Sequence, residues 1–223
     1  MCMRTWSEYS FIFHFTLMIL FSLVPGEEKS RLMAAETIPY TIVQKDGPIE
    51  IRQYEPYSVA EMEITSLFEE AGSMAFRPLF RYISGKNSSQ RKIAMTAPVT
   101  QEAAEKENRT PLTEAAVWKI GFVMPSHLSF ETLPSPDDPA ITIRRIPARR
   151  IAALRYSGTW SHERYSRFLE QLEIWIRKNG YRILDQPVFA RYDPPFMPFF
   201  MRHNEILIPI EREATGEPGR QEH

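Results

Sequence analysis

Cysteine is almost missing from this 223-residue chain, which has only Cys2. One thiol makes no internal disulfide, and without a cysteine cluster there is no thiolate site for zinc or an iron–sulfur centre. Stability must come from packing alone, which a domain of about 175 residues can supply because the buried fraction rises with size. Charge of one sign is missing as well: 27 Lys and Arg stand against 28 Asp and Glu, a formal net charge of −1. Such a chain has no global field for nucleic acid, so that role would need a local basic patch. The one candidate, Arg144, Arg145, Arg149 and Arg150, alternates with apolar residues and reads as a solvated strand face; no nucleic-acid partner is expected. The usual catalytic and phosphate-binding motifs are also missing. There is no Gly-x-Gly-x-x-Gly, phosphate loop, Gly-x-Ser-x-Gly elbow or His-Glu-x-x-His. Ser157-Gly158 and Ser161-His162 come near these templates without matching one, so a non-enzyme is expected.

No apolar run is long enough to cross a bilayer as a helix. The longest, Phe11 to Val24, has 14 residues, roughly 21 Å of helix against a hydrocarbon core of ~30 Å. With Arg4 before it and Val24-Pro25-Gly26 after it, the run fits an export signal over residues 1–26, cleaved after Gly26. An uncleaved anchor and a true start at Met33 are the alternatives. The expected location is therefore periplasmic or secreted, with membrane attachment only if the segment stays uncleaved.

What is present is ordinary for a globular domain: 43% hydrophobic and 25% charged residues. Residues 27–37 read as a linker, 38–211 as the domain and 212–223 as a disordered tail. Strands are expected over Tyr40–Val43, Ile49–Tyr54, Ser58–Ile64, Lys92–Thr100, Val117–Met124, Ile141–Ile146, Ile151–Tyr156, Pro187–Arg191 and Glu205–Ile210. Glu102–Ala115 reads as a surface loop. Phe68, Ala71, Ala75, Leu79 and Tyr82 recur at helical spacing and predict a helix over Leu67–Ser84, with Pro78 as a bend or an irregular turn and Gly85 as its stop. A second helix is capped by Ser161, carries Tyr165, Phe168, Leu169, Leu172 and Ile176 on one stripe, and closes at Gly180.

The two halves resemble each other at an offset of 92 residues. Ile49-Glu50-Ile51-Arg52 matches Ile141-Thr142-Ile143-Arg144, Val59-Ala60 matches Ile151-Ala152, and Phe76 matches Phe168. Each half reads strand, strand, helix, strand, strand. Packing the two sheets together would bury a common core and leave the helices outside.

Three segments are unusual: Ala75 to Asn87, Lys92 to Val99, and Arg191 to Ile206. The last displays Phe196, Met197, Phe199, Phe200 and Met201 with neither helical nor strand period, as a plug at the core edge or the wall of a ligand slot. Together with Ile49-Glu50-Ile51-Arg52-Gln53-Tyr54, and with Tyr192-Asp193-Pro194-Pro195-Phe196 through Arg202-His203-Asn204-Glu205, these segments resemble the SOUL haem-binding protein family from about Tyr40 to Ile210. The resemblance implies an α+β fold, a distorted β-barrel of two repeats with two helices. It also implies a tetrapyrrole, haem or a related porphyrin, bound as ligand in an apolar cleft beside the first helix. Relatives of this shape also serve as effector-binding modules of drug-sensing regulators. A small-molecule sensor without iron chemistry and an envelope interaction module are thus the alternatives.

A porphyrin is a flat apolar plate with two carboxylates at one edge, so it needs an apolar slot with a cation at the rim. Phe76, Leu79 and Phe80 are candidates for the slot and Arg77 or Arg81 for the cation, against core packing and a solvated face as the plainer roles. Some relatives carry a histidine where this chain has Gln53, and others a lysine where it has Met197. Axial iron ligands are commonly His, Met, Cys or Tyr; His203, Met197 and Met201 are the candidates, and His127 and His162 read as surface or capping residues. A monomer is expected. Asn87-Ser88-Ser89 and Asn108-Arg109-Thr110 fit glycosylation sequons.

Overall fold

The computed structural model describes residues 35–104 and 112–213. The proposed signal segment with Cys2, most of the linker, the sequon at Asn108 and nearly all of the C-terminal tail lie outside the described residues.

The chain runs β1 (Tyr40–Asp46), β2 (Ile49–Tyr54), β3 (Tyr57–Ser66), α1 (Phe68–Ile83), β4 (Val99–Ala103), β5 (Ala116–Val123), β6 (Thr142–Ile146), β7 (Arg149–Tyr156), α2 (His162–Lys178), β8 (Tyr181–Ile183), β9 (Val188–Arg191) and β10 (Asn204–Arg212). One antiparallel sheet takes all ten strands in the order β1-β2-β7-β10-β9-β4-β5-β3-β6, with β8 also on β10. The sheet is open: β1 and β6 are its end strands, and no pairing joins them into a barrel. Apart from β1 and β8, the order is symmetric about the β4–β9 pair. The first strand of each sequence half pairs with the second strand of the other half, β2 with β7 and β6 with β3.

Alternation along the strands fills both faces. Ile49, Ile51, Ala152, Leu154, Phe189, Ile206, Ile208, Ile120 and Phe122 join Phe68, Ala71, Ala75, Leu79, Leu172 and Ile176 of the helices in the larger core. The alternate residues, including Tyr54, Val59, Val123, Ile151, Ala153, Val188, Ala190 and Leu207, make a second core on the opposite face. Period-2 side chains let one strand serve both.

Helix α1 continues through Pro78. Each helix stops before a glycine with positive φ, Gly85 at 110° and Gly180 at 70°, where a side chain would strain the turn. The Ser161 side chain accepts the Arg164 N–H and caps α2. The strand expected over Lys92–Thr100 forms only from Val99, immediately after Pro98, and reaches Ala103 inside the segment expected as loop. Proline has no N–H for the ladder, so pairing starts beyond it. Short β8 matches no strand expected from the sequence. The segment read as linker is already tied down at Glu36, whose carbonyl accepts the Ala97 N–H. Of the four arginines in the basic patch, Arg144 bonds to Glu61 and Glu102, Arg145 pairs with Glu131, and Arg149 donates to the Tyr57 hydroxyl. Acidic neighbours thus pair with two of its four charges.

Candidate functional site

Helix α1 divides its aromatic residues between two environments. Phe68, Ala71, Ala75, Leu79 and Tyr82 follow the i, i+3, i+4 stripe into the core. Leu79, a candidate for the slot, has no exposed surface and belongs wholly to that core. The same periodicity that made it conspicuous as an apolar residue turns it inward.

Phe76 and Phe80 lie one turn apart on the other side and stay 41% and 47% exposed. Their rings stack with centroids 5.8 Å apart and planes within 10°. The far edge of Phe76 meets the buried Phe122 ring at 5.5 Å, so the pair is anchored to β5. Arg77 and Arg81 are exposed on the same helix. Together these residues make a flat apolar plate about two rings wide, with cations beside it. An open groove of about 460 Å³ continues from the C-terminal end of the helix, lined by Pro78, Arg81, Tyr82, Lys86, Asp137 and Ile141.

Gly72, one turn before Phe76, is itself buried against the sheet. Arg191 of β9 lies directly beneath it, and a β-carbon at Gly72 would collide with the Arg191 Nη1. Glycine within a helix costs about 1 kcal/mol relative to alanine; here it makes room for a guanidinium. Arg191 Nη2 donates to Gln101 Oε1, and the guanidinium carbon stands 4.8 Å from the centre of the Phe189 ring on the same strand and 5.0 Å from that of Trp160.

The loop from Asp193 to His203 is held by its own polar groups. Arg202 donates to the carbonyls of Met197 and Pro195, and Asp193 accepts the His203 N–H. This frees the apolar side chains: Phe196, Phe199, Phe200 and Met201 are all exposed, and Met197 is half-buried. An ordered loop showing four large apolar side chains is uncommon on a soluble surface unless something covers it.

His203 is placed differently from its expected role as an iron ligand. Its Nε2 lies 2.9 Å from Glu205 Oε1, and its ring stacks on Tyr192 at 4.1 Å and 7°. Glu205 is one residue out of phase with the core-facing Ile206, and Tyr192 packs against the second core. His203 is therefore drawn to the face of the sheet opposite α1, away from Phe76 and Phe80. The carboxylate of Glu205 draws it there, and burial explains why: Glu205 is 2% exposed, and a buried carboxylate must be fully hydrogen-bonded. Burial raises the Glu205 pKa, but hydrogen bonds from His203 and Arg52 outweigh it and hold the group down at about 2.

Among the described residues, one His-and-carboxylate group has metal-ligand spacing: Glu69, His162 and Glu163. Glu69 accepts both the backbone N–H of His162 and a contact from its Nδ1, each at 2.8 Å. The group joins the first turns of α1 and α2, where the helix dipoles favour anions over cations. Its chemistry is that of a shared helix cap.

Sequence reading missed Arg191, Gly72 and Trp160. The available signal was a glycine one turn before the aromatic pair, and an arginine continuing the buried run Val188-Phe189-Ala190. Only their juxtaposition gives them meaning.

An antiparallel sheet with two helices on one face, the first of them carrying an exposed aromatic pair, defines an α+β domain. Residues 35–209 match the family model described as SOUL heme-binding protein, and the chain belongs to that family. Human heme-binding protein 2 is 28% identical over 201 residues, covering 86% of this chain and 95% of that protein. Heme-binding protein 1 of Xenopus tropicalis is 26% identical over 165 residues, covering 73% and 84%. Haem is accordingly a possible ligand. Among solved structures, the C-terminal domain of EcmrR superposes with a TM-score of 0.58 at 14% identity, covering 78% of this chain and 98% of that one. A hydrolase from Listeria innocua superposes with 0.53 at 8% identity, covering 83% and 97%. Both share the fold.

Proposed function

We propose that this chain binds haem or a related porphyrin without transforming it, and that the ring lies on the outer face of α1. The observation that carries this reading is the stacked, half-exposed pair Phe76 and Phe80. Leaving two aromatic rings in water forgoes roughly 1–3 kcal/mol that a flat apolar ligand would recover. Arg77 and Arg81 stand where cations would meet propionates. Met197 and the exposed phenylalanines of the 194–201 segment supply apolar surface for the second wall. Family membership supports the ligand class. In the same reading the chain is an exported monomer that takes no nucleic acid, its leader being residues 1–26. Its two sequence halves are pseudo-repeats curled toward a barrel, a reading supported by the symmetric strand order.

Titrating the purified chain with hemin tests this directly. The Soret band should shift saturably near one equivalent, and the bound spectrum should persist under a mild reductant without loss of the porphyrin. Arg81→Ala should weaken binding several-fold while leaving the melting temperature nearly unchanged, because Arg81 is exposed. The absence of a saturable shift would remove the reading; steady porphyrin breakdown would replace it with an enzymatic one.

A further inference from the structure

The 194–201 segment between β9 and β10 carries the four most exposed large apolar side chains among the described residues: Phe196 at 85%, Phe200 at 66%, Met201 at 62% and Phe199 at 54%. Together they show apolar surface on the order of 500 Å², as much as the largest patch of an ordinary monomer, gathered on one short loop. Folding would draw such side chains inward if the backbone let it. Here Pro194, Pro195 and Pro198 fix the backbone, Phe199–Met201 close into a 3-10 turn, and the Phe199 and Phe200 rings meet edge to face at 5.6 Å. The loop is stiff and holds its apolar side chains outward.

Backbone and charge narrow what covers it. The three prolines bring no N–H, and Met197, Met201 and Arg202 donate theirs to the carbonyls of Pro194, Pro198 and Phe199. The carbonyls of Pro195 and Met197 accept from the Arg202 side chain. A hydrocarbon phase admits backbone only where its polar groups are bonded internally, a demand that water does not make. From 194 to 202 there is no acidic residue and one cation, Arg202; Asp193, at the base, is taken up by the His203 N–H. Arg202 lies over the Trp160 ring at 4.3 Å, and the Trp160 indole N–H is held by Asn204 Oδ1. An apolar tip above a cation and an indole matches the order of acyl chains and headgroups at a lipid surface. We propose that the 194–201 loop docks the domain on a lipid surface bearing anionic headgroups. Phe196, Phe199, Phe200 and Met201 enter the acyl boundary, and Arg202 and Trp160 stand at headgroup level. Docking goes beyond the ligand reading and needs no ligand; in that reading the same side chains border the site, so docking brings its mouth to the lipid surface.

The test uses the full chain without hemin and vesicles of phosphatidylcholine and phosphatidylglycerol at roughly three to one. The chain should co-sediment with them. Phe196→Ser combined with Phe200→Ser should lower the partition coefficient by roughly tenfold or more while leaving the melting temperature nearly unchanged, since both rings are exposed. Vesicles of phosphatidylcholine alone should bind roughly fivefold less, because Arg202 then meets no anion. Phe200→Trp should add indole emission that moves to the blue on vesicles and is quenched by brominated acyl chains, which a purely electrostatic association would not produce. Absent co-sedimentation overturns the proposal, as does equal binding to the two kinds of vesicle. Co-sedimentation indifferent to the serine pair, as association through the Phe11 to Val24 run would be, overturns it too, and so does an unquenched Phe200→Trp signal. Self-association that the serine pair abolishes, without vesicle binding, overturns it in favour of a second copy of this chain.

Discussion

Arg52 and Glu205 form a bidentate ion pair, with Nη1 and Nη2 donating to the two carboxylate oxygens at 2.7 and 2.9 Å. They stand on β2 and β10 with β7 between them, and both are almost fully buried. Glu50, Tyr54, Tyr192 and His203 complete the network. A buried pair of this kind ties strands together at fixed register, and its worth shows when one partner is removed.

Glu205→Leu should therefore destabilise the chain by about 3 kcal/mol, because Arg52 stays charged and buried with only Glu50 at its Nε. Replacing both, Arg52→Met with Glu205→Leu, should cost clearly less than the single change. Urea unfolding of the three chains measures this. A double variant as unstable as Glu205→Leu would show that the pair contributes more than mutual neutralisation.

The same group sets an acid limit. Glu205 has its folded pKa at about 2 against an ordinary 4.5. Because the folded value is the lower one, the contribution is fully present above pH 4.5 and is lost as pH falls from there toward 2. It amounts to about 3 kcal/mol. Unfolding free energy followed from roughly pH 6 to pH 2 should fall chiefly in that window, and Glu205→Gln should flatten this part of the curve.

Leu79 and Phe80 are neighbours in sequence with opposite roles. Leu79→Ala should cost about 2–5 kcal/mol of stability, as a cavity in a closed core does. Phe80→Ala should cost under about 1 kcal/mol, since the ring is half in water, yet weaken hemin binding by roughly tenfold. Thermal melts and Soret titrations of both variants separate the roles.

Asn87 fits a glycosylation sequon but is only 1% exposed. Its side-chain amide donates to the carbonyls of Tyr82 and Arg91, and its oxygen accepts the Arg91 N–H. Expression in a glycosylating host should leave Asn87 unmodified in the folded chain, as peptide mass spectrometry would show. Asn87→Ala should cost about 2 kcal/mol, because the loop carbonyls lose their donors.

Much of this fold was legible in local pattern. Period-2 runs such as Ile49–Tyr54 and Ile151–Tyr156, and the α1 stripe from Phe68 to Tyr82, became the expected elements because each buries its apolar side. The 92-residue offset marked which strands correspond, but it left open that each half lends its first strand to the other. Strand partners are chosen by contacts far apart in sequence, and periodicity carries no record of them. The short strand β8 and the delayed start of β4 were likewise decided by neighbours and by Pro98.

The candidate site divides the same way. The aromatic and arginine content of α1 and the apolar run after Asp193 can be read from the chain directly, because composition and spacing are local. Which of those residues face outward depends on the assembled fold. It turned Leu79 into the core, left Phe76 and Phe80 stacked in the open, and drew His203 through Glu205 to the other face of the sheet. It also brought Arg191 under Gly72 from far along the chain. The physical reason is that burial and charge pairing are properties of the assembled sheet: a side chain's neighbours across strands settle whether it is packed, paired or left for a ligand.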